Sequence, residues 1–135
     1  MTGKLEKILL VDDSGADNYY HQMIIEKAKV CKAISSYSQA SDALDTISDA
    51  IKKGQRLPDL IFLDINMPVI DGWEFLERYE AIVPQDSRHP VIIILSTSVN
   101  PIDHERAESH ASVTAYCSKP LSADKLQGIV EDYFS

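Results

Sequence analysis

The chain has 135 residues, 44% of them hydrophobic and 25% charged, which is the size and composition of one globular domain with one core. Lys plus Arg 13 against Asp plus Glu 21 leaves a formal charge of −8, which disfavours nucleic acid as a direct partner because binding the phosphate backbone needs a basic face. No apolar run approaches the roughly 20 residues of a membrane-spanning helix, and Met1 to Lys7 has no apolar signal core, so a cytoplasmic location with no membrane partner is expected.

Ile8 to Val11 is wholly apolar and reads as a first strand, ending in Asp12-Asp13. A helix follows, with Ala16, Tyr19, Tyr20, Met23, Ile24 and Ala28 at helical spacing and therefore expected on its inner face. A weaker strand lies near Ala33 to Tyr37. The next helix buries Ala40, Ala43, Leu44, Ile47 and Ile51, and Gly54 stops it.

Asp59 to Leu63 is the third strand, bounded by Pro58 and leading straight into Asp64. Such a run reads as a strand buried on both faces. Asp71 with Glu74 three residues on resembles a capping box, followed by the inner stripe Gly72, Phe75, Leu76, Tyr79, Ile82 and Val83, with Trp73 in or near the core. Val91 to Leu95 is a β-branched fourth strand that ends in Ser96-Thr97-Ser98. Asn100-Pro101 is a cap and first-position proline, opening a short polar helix with the thin stripe Ile102, Ala107 and Ala111. Val113 to Cys117 is the fifth strand and leads into Ser118-Lys119-Pro120. Ser122 starts a last helix with the stripe Leu126, Ile129, Val130, Tyr133 and Phe134.

Strands alternating with helices five times predict a parallel sheet covered on both faces, with right-handed crossovers. There is no internal repeat and no linker, so one domain is expected over residues 1–135, with a core from about 6 to 134. The first methionine and the end soon after the last helix favour a stand-alone domain. Cys31 and Cys117, far apart and without metal-ligand spacing, read as reduced structural thiols. His21, His89, His104 and His110 read as solvated surface residues.

Parallel strands all finish at one edge, where ligands of open α/β sheets bind. Asp12, Asp13 and Asp64 converge there if strands one and three are neighbours. Successive strand residues face opposite ways, so Asp12 and Asp13 serve one ion differently unless the chain has turned by Asp13. Three close carboxylates repel, and a hard divalent cation such as Mg²⁺ resolves that repulsion with oxygen ligands. Ser96 adds a hydroxyl and Lys119 a point cation, a pair suited to a phosphoryl group. Asp64 can then act as a nucleophile that forms an acyl phosphate. Singly, an Asp-Asp pair is a turn or cap and a Lys-Pro means nothing; the joint pattern at four strand ends carries the reading.

Ile8-Leu9-Leu10-Val11-Asp12-Asp13, Phe62-Leu63-Asp64-Ile65-Asn66-Met67-Pro68 with Asp71-Gly72, Leu95-Ser96 and Ser118-Lys119-Pro120 together resemble a response-regulator receiver domain of two-component signalling, across residues 6 to 134. The resemblance implies a flavodoxin-like (βα)5 fold with sheet order 2-1-3-4-5, an order for which a chemotaxis receiver is itself a standard example. It implies a cytoplasmic phosphoprotein in phosphorelay signal transduction. Asp64 would be phosphoacceptor. Asp13 and Asp64 would bind Mg²⁺ with the backbone carbonyl of Asn66, and Asp12 would act mainly through water. Ser96 would be the switch hydroxyl, with Thr97 the alternative, and Lys119 would pair with the phosphoryl group. Tyr116 would be the switch aromatic, and the peptide before Pro120 is a cis candidate.

The implied partners are a histidine kinase or phosphotransfer protein, and a downstream protein that reads the fourth helix, fifth strand and fifth helix. Three features depart from the family pattern: Thr97 where a small residue is usual, a Ser96 to Lys119 interval one residue long, and no obvious glycine before the fifth strand. On this reading the chain is not an enzyme, catalysing only its own phosphorylation and dephosphorylation. A Mg²⁺-dependent aspartyl-phosphate phosphatase is the alternative, although it wants an acid two residues after the nucleophile, where Asn66 stands. A flavin carrier on the same sheet would need a phosphate loop less acidic than Asp12 to Asp17.

Overall fold

The computed structural model describes residues 5–84 and 89–134. The chain runs β1 (Leu5–Val11), α1 (Gly15–Ala28), β2 (Cys31–Tyr37), α2 (Ala40–Lys52), β3 (Leu60–Leu63), α3 (Gly72–Ile82), β4 (Val91–Ser96), α4 (Pro101–Ser109), β5 (Val113–Ser118) and α5 (Ala123–Phe134). All strand pairs are parallel, in the order β2-β1-β3-β4-β5. This is the expected flavodoxin-like fold.

The pleat sorts the central strands between two apolar layers. Leu9, Val11, Ile61, Leu63, Ile92 and Ile94 face α2, α3 and α4. Ile8, Leu10, Leu60, Phe62, Ile93 and Leu95 face α1 and α5. With both faces covered, β3 and most of β1 and β4 must be apolar throughout, which is why they read so clearly in the sequence.

Helix starts follow the expected local chemistry. Ser14 accepts the Asp17 amide at 3.2 Å, Asp71 the Glu74 amide at 2.9 Å, and Asn100 the Ile102 amide at 3.0 Å. The capping box at Asp71 is only half made, because the Glu74 carboxylate pairs with Arg78 at 2.6 Å. Gly54, at φ 66°, takes the left-handed conformation that ends α2.

Several helix faces differ from expectation. The predicted stripe of α1 is rotated: Tyr19 is 73% and Tyr20 41% exposed, Ala16 and Ala28 are at the surface, and the inner residues are Asn18, His21 and Ile25. The inner face is set by a hydrogen bond as well as by apolar area: Asn18 Nδ2 donates to the Asp12 carbonyl at 2.8 Å, and Ile25 is fully buried in the core. His21 is thus buried, not solvated. In α3, Trp73 is buried as expected but Ile82 lies at the surface. In α4, Ala107 is the sole buried position and Ile102 is exposed; Ala111, expected on the same stripe, lies beyond the helix end in an exposed turn. In α5, Leu126 and Val130 point inward, while Tyr133 is exposed.

Candidate functional site

Backbone hydrogen bonds carry the sheet one step past its strands and aim the polar residues. The Asp12 amide donates to the Tyr37 carbonyl at 3.0 Å, the Asp64 amide to Val11 at 2.9 Å, and the Lys119 amide to Ser96 at 2.9 Å. The first two rungs set Asp12 and Asp64 side by side across the β1–β3 junction, where the chain order of the sheet reverses. The third brings Lys119 up from the far edge.

Asp12, Asp13 and Asp64 converge as expected, each offering a carboxylate oxygen within 4.8 Å of the others. Asp12 and Asp64 are buried and Asp13 is exposed. The strand ends at Val11, and the Ser14 amide closes a turn onto Asp12 Oδ1 at 2.9 Å, so the chain has turned by Asp13 and the alternation of a strand no longer separates the pair. Two oxygens on one Mg²⁺ are at most about 4.2 Å apart, given bonds of about 2.1 Å. The cluster is only slightly wider than that, and its donors are hard oxygens, so it fits a small divalent cation.

Lys119 lies at the centre of the acids. Its Nζ is 2.6 Å from Asp12 Oδ2, 2.8 Å from Asp17 Oδ2 and 3.5 Å from Asp64 Oδ2. Burial alone would lower the ammonium's pKa; the three carboxylates outweigh it and hold it well above its ordinary value. Asp64 moves the other way. Burial, reinforced by Asp12 and Asp13, pushes its carboxyl up to about 6, against the Asn66 N–H and Lys119. The Asn66 N–H donates to Asp64 Oδ1 at 3.2 Å, which folds the β3–α3 loop over the carboxylate. The Lys119–Pro120 peptide is cis.

Ser96 and Tyr116 meet through a third residue. Ser96 is fully buried on the α4 side of the sheet, and its Oγ accepts the Ser98 amide at 3.1 Å. The Ser98 carbonyl accepts from the Tyr116 hydroxyl at 3.1 Å. The Tyr116 ring, half-buried, is covered by the His104 ring at a centroid distance of 3.8 Å. Thr97 is exposed. Sequence reasoning missed the polar inner face of α1. Asp17 pairs with Lys119, Asn18 holds the Asp12 carbonyl and His21 is buried within reach of the Lys119 charge, and their only signal was a run too polar for the helix it opens.

Residues 8–131 match the family described as the response regulator receiver domain. A two-component response regulator from Cytophaga hutchinsonii superposes with a TM-score of 0.87 at 30% identity, over 96% of this chain and 97% of that one. The probable methanogenesis regulatory protein FilR2 of Methanothrix harundinacea is 30% identical over 93% of this chain and 79% of its own length. Other relatives are far longer than the matched stretch: the chain spans 8% of the hybrid signal transduction histidine kinase D of Dictyostelium discoideum, at 28% identity over 94% of this chain. With the family match running over residues 8–131 and the fold shared with a solved response regulator at 30% identity, the chain belongs to the response-regulator receiver domains of two-component signalling.

Proposed function

We propose that Asp64 is the phosphoacceptor and that Mg²⁺ is the cation its pocket takes. A carboxylate oxygen of Asp64 forms a bond to phosphorus as the phosphorus–nitrogen bond to a donor phosphohistidine breaks, and the electron pair leaves on the imidazole. Asp13, Asp64 and the Asn66 carbonyl would hold the ion, with Asp12 beside it. When bound, Mg²⁺ neutralises charge on the acids and on the phosphoryl oxygens. Lys119 supplies a second positive charge to those oxygens. The observation that carries the reading is the meeting of Asp12, Asp13, Asp64 and Lys119 at one sheet edge.

Transmission runs through Ser98. The Ser96 hydroxyl is the switch group and Tyr116 the switch aromatic, with Thr97 as the alternative hydroxyl. Drawing Ser96 toward the phosphoryl group breaks its bond to the Ser98 amide, and Ser98 also holds the Tyr116 hydroxyl. The bistable element is then α4, which buries a single residue. Its face, with β5 and α5, is the surface a downstream protein reads in the cytoplasm, and a histidine kinase or phosphotransfer protein supplies the phosphoryl group.

The test is to incubate the protein with Mg²⁺ and acetyl phosphate and weigh it intact. One phosphoryl gain, absent with EDTA and in Asp64→Asn, is expected. Multiple-turnover release of phosphate from phosphomonoesters would instead mark a phosphatase, against which Asn66 argues by offering no acid two residues after Asp64.

A further inference from the structure

Lys119 has three N–H donors. Two are committed at short range, to buried Asp12 at 2.6 Å and to Asp17 at 2.8 Å, and the phosphoacceptor is farther off at 3.5 Å. The ammonium therefore sits drawn toward α1. Asp17 is held there independently of any metal, because its amide bonds to Ser14 Oγ at 3.2 Å and its charge lies in the first turn of the helix, where anions are favoured.

We infer that Asp17 is a positioning residue, a latch that keeps Lys119 from closing to short hydrogen-bond range of Asp64 until a phosphoryl group competes for it; the inference rests on Asp64 being the phosphoacceptor. The two committed contacts are not equal. The Asp12 side chain is 7% exposed and cannot be rehydrated if it loses its partner, whereas Asp17 is 43% exposed and can. Asp17 is thus the contact that yields when phosphoryl oxygens arrive, and the strength of this one pair sets how readily the site accepts them. No assigned role in the pocket needs a fourth carboxylate, and its cost to an anionic ligand is direct.

The test uses beryllofluoride, a tetrahedral phosphoryl mimic, at saturating Mg²⁺, with two readouts: half-saturation and the ¹⁵N signal of the Lys119 ammonium. Asp17→Asn, which keeps the shape, is expected to bind beryllofluoride about five- to tenfold more tightly. Its ligand-free Lys119 signal is expected to move toward the position that the wild-type signal takes when saturated. Asp17→Ser, with a first-turn hydroxyl, is expected to match it, and both should melt within a few degrees of wild type. Unchanged or weaker binding overturns the latch. So does tighter binding with an unmoved Lys119 signal, which assigns the effect to the general field of the acids. Failure of the wild type itself to bind beryllofluoride would instead remove the phosphoacceptor reading, and the latch with it.

Discussion

Gly72 lies against the backbone of Ile65 so closely that a β-carbon on it would stand 2.6 Å from the Ile65 α-carbon and 2.7 Å from the Asp64 carbonyl oxygen. Both are backbone atoms and cannot swing aside. The Gly72 amide also donates to the Ile65 carbonyl at 3.1 Å, so α3 begins pressed onto the segment that carries Asp64.

Gly72→Ala is therefore expected to cost about 1–3 kcal/mol by overpacking and to slow phosphorylation by acetyl phosphate, because relief requires Asp64 to move. Gly128→Ala is the comparison. That glycine is helical with nothing within 4 Å of its would-be β-carbon, so the change should stabilise by roughly 0.5–1 kcal/mol and leave phosphorylation unchanged. Urea denaturation and intact-mass time courses measure both.

Val69, in the loop after Asp64, has φ 67° and is 99% exposed. A β-branched side chain is strained in the left-handed region and gains no burial here to offset the strain. Val69→Asn should raise stability by about 1 kcal/mol, seen as a higher urea midpoint at unchanged slope. An unchanged or lower midpoint would place the backbone strain elsewhere.

The raised pKa of Asp64 gives stability a sign that most carboxylates do not. Its folded value near 6 exceeds the unfolded value near 4, so in EDTA the folded state loses stability as pH rises through that interval. Asp64→Asn removes the penalty. With solvent screening, it should be more stable than wild type by about 1–2 kcal/mol at pH 7.5 in EDTA, with the gap closing near pH 4. Mg²⁺ should raise the melting temperature of wild type at pH 7.5 far more than at pH 4. A constant gap across pH would contradict the buried, crowded environment of that carboxyl.

His21 acts in the opposite sense. Burial, with the Lys119 charge behind it, holds its pKa below the ordinary value despite Asp17 and Asp12. The unfolded chain then binds the proton more readily, and stability falls as pH drops through about 6.5 toward the folded value. His21→Gln should flatten that part of the stability curve while leaving the region above pH 8 parallel to wild type. Chemical denaturation at half-unit pH steps makes the comparison, and a curve that stays unflattened would assign the acid sensitivity to another group.

Much of the molecule is legible in the order of its residues. The runs Ile8 to Val11, Leu60 to Leu63 and Val91 to Leu95 are apolar because each central strand is covered on both faces, and that coverage leaves a plain signal. The caps Ser122, Asp71 and Asn100 are local, made within three residues, so they too are readable. Alternation of strands and helices then brings the acids and the lysine to one edge.

What the sequence determined, then, is whatever rests on apolar area, on bonds between near neighbours, or on chain direction. The rotation of α1, the burial of His21 and the attachment of Asp17 to Lys119 came only with the tertiary structure. Tyr19 and Tyr20 suggested one inner face by their apolarity, yet Asn18, bonded to the Asp12 carbonyl, and the buried Ile25 set another. Asp17 and Lys119 stand 102 residues apart, and nothing local to either marks the other. A buried polar group is located by its partner, and where that partner comes from another element only the folded chain supplies it.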